Sequence, residues 1–289
     1  MLLKPFQYHT PRTLEEALEL SQRLENAQLN AGGTFLLNRL KFLKKRNGLT
    51  PEHVISLRHI SDLRRIEKKD GKVILGAMLT ISDLMDSSLL EGDLSLLKII
   101  GKNVGTTPIR NMATLGGNLT CRYTWTEYPS AMISLGATLC FTRRDGTTHE
   151  IPAEDFFAQE AKTEDILTYV VIPPQKGALF TYQRIKKSLH VDTPLLTVLM
   201  KAHVNKDTIQ CCRVVVNNGI AFAQRDQILE NYLEGHRLTD SLIEEVLDHR
   251  DLSIYETRST EYKKHLFKVC LRRSIKDLLN QAQQRGQVG

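Results

Sequence analysis

The sequence predicts a mixed α+β protein whose first part has two lobes and whose last part is a separate domain. Helix and strand signals alternate over the first part, which is typical of packed α/β layers. The last third changes to consecutive strands followed by two helices. A length of 289 residues suits two domains. We therefore expect a domain over residues 1–175, with lobes at about 1–55 and 56–175, and a second domain over 176–289.

The first lobe has clear helix and strand signals. Thr13 followed by Glu16 fits a capping box and predicts a helix start. The segment AQLNAGG (27–33) has the pattern of a strand that ends in glycines, and TFLLNRLKFLKKR (34–46) has a helical pattern whose basic end suits a helix C-terminus. HVISL (53–57) is a further predicted strand.

The second lobe continues the alternation. KVILGAML (72–79) predicts a strand, and Thr80 with Asp83 predicts the cap of the helix that follows. The segment TTPIRNMATLGGNLT (106–120) lacks periodicity and is rich in Gly, Thr, Asn and Pro, so we expect a loop. The other predicted elements are a helix over LSLLKIIGKNV (94–104) and strands over ATLCF (137–141) and TYVVIPP (168–174).

The last third predicts an antiparallel meander packed with helices. Three apolar runs are joined by polar turns, which is typical of consecutive strands. One helix is expected near residues 240–249, and a longer one after a cap at Ser259. The predicted strands are LFTYQRI (179–185), LLTVLMKAHV (195–204) and IQCCRVVVNN (209–218).

Composition limits the function classes. The net charge is +6, the pI is near 9.0, and aromatic residues make up 6% of the chain. Basic residues cluster over 39–46 without alternating aromatic residues, so we expect a solvated face or a subunit contact and no nucleic-acid binding. Five cysteines without CxxC spacing predict reduced thiols, a cytoplasmic location, and no metal or iron–sulfur site held by this chain alone.

Membrane and export signals are weak. The N-terminal segment turns polar too early for a signal peptide. No apolar run approaches the roughly 18 residues that a membrane-spanning helix needs.

Two glycine pairs, Gly32–Gly33 and Gly116–Gly117, occur in similar surroundings. Glycine lets a ligand approach the backbone closely, and consecutive free N–H groups form an anion-binding nest. Two facing nests can bind a pyrophosphate from both sides, which favours a dinucleotide ligand. The alternative is that the glycines only serve tight turns, since neither pair belongs to a Walker loop or a GxGxxG motif.

Six segments along the chain resemble one family. AGGTFLL and TPIRNMATLGGN are similar to the two glycine loops of the FAD-binding medium subunit of molybdenum hydroxylases, the xanthine dehydrogenase and aerobic carbon monoxide dehydrogenase type. The other segments that resemble this family are PRTLEEALEL, VILGAMLTISDL, IPAEDFFAQEAKTEDILTYVVIPP and STEYKKHLFKVCLRRSI, the first of which matches its opening helix.

The resemblance implies a fold and a function. The fold is the two-lobed FAD-binding architecture shared with vanillyl-alcohol oxidase and p-cresol methylhydroxylase, followed by a C-terminal α+β domain of the CO dehydrogenase flavoprotein type. The implied function is that of an electron-transfer oxidoreductase subunit with FAD between the lobes. Electrons are expected from a molybdopterin subunit through the [2Fe–2S] clusters of an iron–sulfur subunit, and they leave to NAD or another acceptor.

The resemblance also implies cofactor-binding residues. The two glycine loops contact the phosphates, an acidic residue contacts the FAD, a leucine packs on the flavin, and a cation lies on the following strand. The residues that match these positions are Asn30, Ala31, Gly32, Gly33, Thr34, Thr114, Leu115, Gly116, Gly117, Asn118, Glu127, Leu167 and Arg184.

The chain departs from the family pattern near these positions. Phe35 stands where an acidic residue is usual, and the stretch Tyr123–Tyr128 adds Tyr123 and Trp125 where the family has small residues. These rings either pack on the flavin or fill space. Two alternatives therefore stay open: a flavin-free scaffold derived from the family, and a stand-alone FAD oxidoreductase. No catalytic base or nucleophile is predicted; among the scattered histidines, His190 is expected nearest to the flavin.

Overall fold

The computed structural model describes residues 3–159, 163–186, 193–217, 222–248 and 260–286. The predicted α+β class is confirmed, because three separate sheets and their flanking helices make up this part of the chain. Ser259 and His190 lie outside the described residues.

A small parallel sheet forms the N-terminal part. Helix α1 joins its first two strands in sequence, α2 joins the next two, and the spatial strand order is β1-β3-β2. The side chain of Thr13 accepts a hydrogen bond from the Glu16 amide at the start of α1, as its spacing predicts. The elements are β1 (Gln7–His9), α1 (Leu14–Arg23), β2 (Ala27–Asn30), α2 (Leu36–Lys45) and β3 (His53–Ser56).

A five-stranded antiparallel sheet follows, in the order β4-β5-β8-β6-β7. The predicted capping box of Thr80 and Asp83 is present at the start of α3. The elements are β4 (Ile66–Lys69), β5 (Lys72–Gly76), α3 (Ile81–Asp86), α4 (Ser95–Lys102), α5 (Thr107–Arg110), α6 (Leu115–Thr120), α7 (Tyr128–Leu135), β6 (Thr138–Thr142), β7 (Thr148–Pro152), α8 (Ala153–Ala158) and β8 (Ile166–Ile172).

The remaining described residues build a four-stranded antiparallel sheet in the order β12-β11-β10-β9. Helix α11 packs on β9 and β10, and α9 packs on β11. The elements are β9 (Leu179–Lys186), β10 (Pro194–Asn205), β11 (Thr208–Asn217), β12 (Gln224–Arg225), α9 (Gln227–Leu233), α10 (Asp240–Asp248) and α11 (Thr260–Gln284).

The segment 106–120 differs from its predicted loop, because it contains the short helices α5 and α6. Helices of four and six residues have no room for a 3.6-residue apolar period. Helix α7 also lacked a signal, since all eight of its residues are buried and it has no polar face.

Candidate functional site

The two glycine loops lie against each other. The first follows β2 and the second runs into α6. A Cβ on Gly32 would lie 2.0 Å from the Met112 carbonyl oxygen, and a Cβ on Gly117 would lie 3.6 Å from Ala31 Cβ. The distance at Gly117 is an ordinary van der Waals contact, so it is the absence of a side chain at Gly32 that lets the two loops approach each other.

The first loop has free amide groups. The N–H groups of residues 31–34 donate no hydrogen bond to any residue that the structure describes. Gly33 has φ +72°, a conformation that favours glycine, and α2 begins three residues later. Free amides beside a helix N-terminus form a site for an anionic group.

The second loop differs from the prediction that its amides are free. Thr114 caps α6, and its hydroxyl accepts a hydrogen bond from the Gly117 amide at 3.1 Å. The expectation of two symmetric amide nests is wrong, because capping and β-type contacts engage these amides. The other three donors pair as Leu115 N to Leu79 O, Gly116 N to Ala77 O and Asn118 N to Thr114 O.

A cleft of about 890 Å³ opens beside the two loops. This volume lies within the range of about 300–1,000 Å³ of small-molecule sites. Leu115 does not line the cleft, because its side chain is fully buried in the core of the second lobe. The predicted site residues that do line it are Asn30, Ala31, Gly32, Gly33, Thr34, Thr114, Gly116, Gly117, Asn118, Glu127, Leu167 and Arg184.

Glu127 and Arg184 form a buried ion pair in the cleft wall. Arg184 Nε donates to Glu127 Oε2 at 2.7 Å, and the two side chains are 7% and 6% exposed. Glu127 Oε1 also accepts hydrogen bonds from the hydroxyls of Tyr182 and Thr197 at 2.7 and 2.8 Å. Burial, and then the Glu127 charge, raise the pKa of Tyr182, so its phenol stays a neutral donor.

This hydrogen-bonded group joins the segment after α6 to strands β9 and β10. The Glu127 carboxylate is therefore already paired on both oxygens by the protein. Glu127 therefore orients the Arg184 guanidinium and the neighbouring backbone in the cleft wall.

The family of the chain follows from its first 175 residues. A family described as "FAD binding domain in molybdopterin dehydrogenase" matches residues 4–175. The chain belongs to this family. It is an oxidoreductase subunit with an FAD-binding domain, and the glycine-lined cleft lies within the matched residues and the strands next to them.

Curated relatives cover most of the chain. It is similar to the carbon monoxide dehydrogenase medium chain of Hydrogenophaga pseudoflava, with 27% identity over 255 residues and 86% of each chain covered. The corresponding medium chain of Afipia carboxidovorans is 30% identical over 195 residues, which cover 65% of this chain and 66% of that one. A chain of quinoline 2-oxidoreductase from Pseudomonas putida 86 shares the fold, with a TM-score of 0.85, 22% identity, and 98% and 99% coverage.

The cleft of this FAD-binding domain has features that fit a dinucleotide. The Oδ1 atoms of Asn30 and Asn118 are buried and accept no hydrogen bond within the described part of the chain. A buried acceptor without a donor costs about 1–3 kcal/mol, so these oxygens suit the hydroxyl or N–H groups of a ligand. The free amides of residues 31–34 suit its phosphates.

Sequence reasoning missed three arginines that line the cleft, one of which, Arg144, is paired with Glu164 at 2.7 Å. Arg39 has no carboxylate partner among the described residues, and it lies one turn after the start of α2. The Arg122 guanidinium lies over the Phe222 ring, 4.4 Å from its centroid, and donates to the Phe156 carbonyl. Burial lowers the pKa of Arg122. The only sequence signal of Arg39 and Arg122 is closeness to the glycine loops.

Among the described residues, no group of three or more His, Cys, Asp or Glu side chains is arranged to hold a metal ion. The same part of the chain contains no helix that is both long and apolar enough to cross a membrane.

Proposed function

We propose that this chain is the FAD-carrying electron-transfer subunit of a molybdenum hydroxylase complex. Electrons arrive from [2Fe–2S] clusters on an iron–sulfur subunit, which receives them from a molybdopterin subunit, and they leave to NAD or another acceptor. The observation that carries the proposal is the cleft lined by both glycine loops inside the matched FAD-binding domain. When bound, FAD supplies the one- and two-electron redox chemistry.

The chain's own residues bind and orient the cofactor. The free amides of residues 31–34 and the Arg39 guanidinium hold the diphosphate, and the Oδ1 atoms of Asn30 and Asn118 accept hydrogen bonds from ribityl or ribose hydroxyls. Leu167 offers an apolar side chain to the flavin ring. Arg184, held by Glu127, supplies a guanidinium group of fixed orientation in the cleft wall. None of the five cysteines forms a disulfide bond, which supports a cytoplasmic location.

The second glycine loop has a different role in this proposal. Its amides are engaged within the protein, and Gly116 lets the loop pack closely against residue Ala77. A Cβ on Gly116 would lie 2.8 Å from the Ala77 carbonyl oxygen. Thr114 and Asn118 then act through their side chains.

Replacing Asn118 by leucine tests the site. Leucine removes the unpaired oxygen, so the cofactor-free protein should keep or gain stability. FAD affinity should fall by about 5- to 150-fold, the equivalent of about 1–3 kcal/mol for one lost hydrogen-bond partner. Thermal unfolding without FAD and a calorimetric FAD titration measure the two effects. Unchanged FAD affinity would contradict the role of Asn118.

Isolation of the affinity-tagged chain from its native host tests the whole assignment. We expect one FAD per chain together with iron, acid-labile sulfide and molybdenum in stoichiometric amounts. Anaerobic reduction of this complex with dithionite, followed by mixing with NAD⁺, with a quinone or with an oxidised dye, identifies the acceptor by the reoxidation of the flavin, seen in its absorbance. FAD without iron or molybdenum would replace the proposal with a stand-alone flavin oxidoreductase.

The second candidate is a flavin-free scaffold. Phe35, Tyr123 and Trp125 favour it, because they place three rings in the cleft. The cleft nevertheless measures about 890 Å³ with these rings in place, which favours the cofactor-carrying subunit. Reconstitution with FAD followed by desalting separates the two: a colourless protein supports the scaffold.

A further inference from the structure

Three aromatic rings from two distant segments meet in the cleft. Phe35 follows the first glycine loop, and Tyr123 and Trp125 follow α6. The ring centroids of Phe35 and Tyr123 are 4.7 Å apart, and those of Tyr123 and Trp125 are 4.4 Å apart. The interplanar angles are 30° and 35°. The centroids of Phe35 and Trp125 are 6.5 Å apart, with an interplanar angle of 54°. The three rings therefore form a triangular cluster with Tyr123 at its corner, which we call the aromatic cluster.

The aromatic cluster faces the cleft. All three side chains line it, and all three are half-buried. The chain has a single tryptophan and only 6% aromatic residues, so this grouping is not the consequence of an aromatic-rich composition. Because Phe35 and Tyr123 lie 88 positions apart, their contact joins the two sides of the cleft.

The two sides of the aromatic cluster have different surroundings. Phe35 follows Thr34 and the free amides of residues 31–34, which suit an anionic group. Trp125 lies two residues before Glu127, whose carboxylate is paired with Arg184. Each ring lies within 6.5 Å of both others, so a further planar ring stacks on the outside of the cluster. The anion-binding amides beside Phe35 leave the Trp125 side for an uncharged ring.

We propose that Trp125 binds a planar ring of the dinucleotide by stacking, and that Phe35 and Tyr123 are positioning residues that hold its indole. The inference rests on the proposed function. Aromatic rings prefer offset or tilted stacking with centroids about 4.5–7 Å apart, and indole is among the largest surfaces for such contact. The ring is either the isoalloxazine or the adenine of FAD, and both offer the same planar aromatic chemistry.

The single tryptophan makes the test direct. FAD titrated into the full-length protein should quench Trp125 fluorescence to saturation. Trp125→Leu should weaken FAD binding by about 5- to 150-fold, the effect of removing one aromatic ring that stacks on a base. Trp125→Phe keeps a ring and should stay within a few-fold of the parent protein. Visible absorbance of retained flavin and calorimetry report affinity in both variants.

Two matched variants, one at the start of α2 and one within it, test whether Phe35 positions the Trp125 indole or only fills space. Phe35→Leu keeps apolar bulk but removes the ring next to Tyr123, so it should weaken FAD binding and reduce the maximal quenching of Trp125. Phe42→Leu removes an exposed ring on the same helix that does not line the cleft, and it should change neither quantity. Circular dichroism checks folding of each variant. If Trp125→Leu fails to fold, Phe35→Leu carries the same test.

Two fragments identify the ring. FMN carries the isoalloxazine and ADP carries the adenine, so the fragment whose affinity falls in Trp125→Leu contains the stacked ring. Affinity for FAD and for both fragments that stays within twofold in Trp125→Leu and Phe35→Leu would overturn this inference and leave the proposed function intact. Failure of the parent protein to bind FAD would overturn the proposed function as well.

Discussion

Replacement of Glu127 by glutamine tests the buried ion pair of the cleft wall. Glutamine has the same shape, and its amide oxygen still accepts from the Tyr182 and Thr197 hydroxyls. The amide NH₂ then faces the Arg184 guanidinium, which loses its acceptor at 2.7 Å. The variant therefore leaves a buried cation next to a donor.

The burial of the pair sets how much unfolding free energy Glu127→Gln should lose. Both side chains of the pair are less than 10% exposed, so water does little to screen the remaining charge. Removal of one partner of such a pair costs about 3–5 kcal/mol. Against a total stability of about 5–15 kcal/mol for a typical protein, the loss is large.

Urea denaturation followed by Trp125 fluorescence measures the change, because Trp125 lies two residues from Glu127. The matched control is Glu244→Gln, whose partner Arg272 lies at 2.8 Å but whose side chains are 66% and 55% exposed. An exposed pair contributes about 0–1 kcal/mol, so the control should unfold close to the parent protein.

A double variant isolates the pair. Glu127→Gln combined with Arg184→Gln removes both charges, and its loss should be smaller than the sum of the two single losses. The reasoning is refuted if Glu127→Gln lies within about 0.5 kcal/mol of Glu244→Gln, the usual range of a surface substitution.

Three further predictions concern the glycine loops and the thiols. Gly32→Ala places a Cβ 2.0 Å from a carbonyl oxygen of the second loop, so the melting temperature of this variant should fall steeply. The control is Gly146→Ala, whose Cβ meets only open space; because Gly146 has φ +83°, the control should lose about 1–2 kcal/mol and melt far above Gly32→Ala. Similar melting curves of the two variants would contradict the loop contact. Cys121 lines the cleft, so saturating FAD should slow its alkylation, which mass spectrometry measures. The exposed Cys211 is the control and should react at an unchanged rate. Equal slowing of both cysteines would place the effect outside the cleft. Burial raises the pKa of Cys270 from its ordinary 9.0 to about 11, so the stability from its neutral thiol is fully present below pH 9 and is lost as the pH rises through 11. The urea midpoint should fall over that interval, and less steeply in Cys270→Ala; parallel pH profiles would show that this thiol is not responsible.

Local patterns predicted much of the fold correctly. The caps at Thr13 and Thr80 and the strands of the meander depend on neighbours within a few residues, and the structure contains them as expected. Edge strands β1, β4 and β7 were not predicted. Their residues are mostly exposed or half-buried, so they lack an apolar alternation. The domain boundary near residue 175 stays a prediction.

In the cleft, too, the sequence predicted which residues lie together but not what each of them contacts. The sequence determined which loops carry glycine pairs, and that Glu127, Leu167 and Arg184 belong near them. All of these positions line one cleft. Their contacts with FAD stay predictions.

The sequence by itself determined the family, the α+β class and the segments that surround the cleft, because these are properties of short motifs and of local periodicity. Only the tertiary structure decided what each group does there. Packing against residues 77–79 engages the amides of Leu115 and Gly116. Folding also brings Arg184 to Glu127 across 57 positions of chain, and it brings Phe35 to Tyr123 across 88 positions. Such contacts depend on how distant elements pack, and no local pattern contains that information.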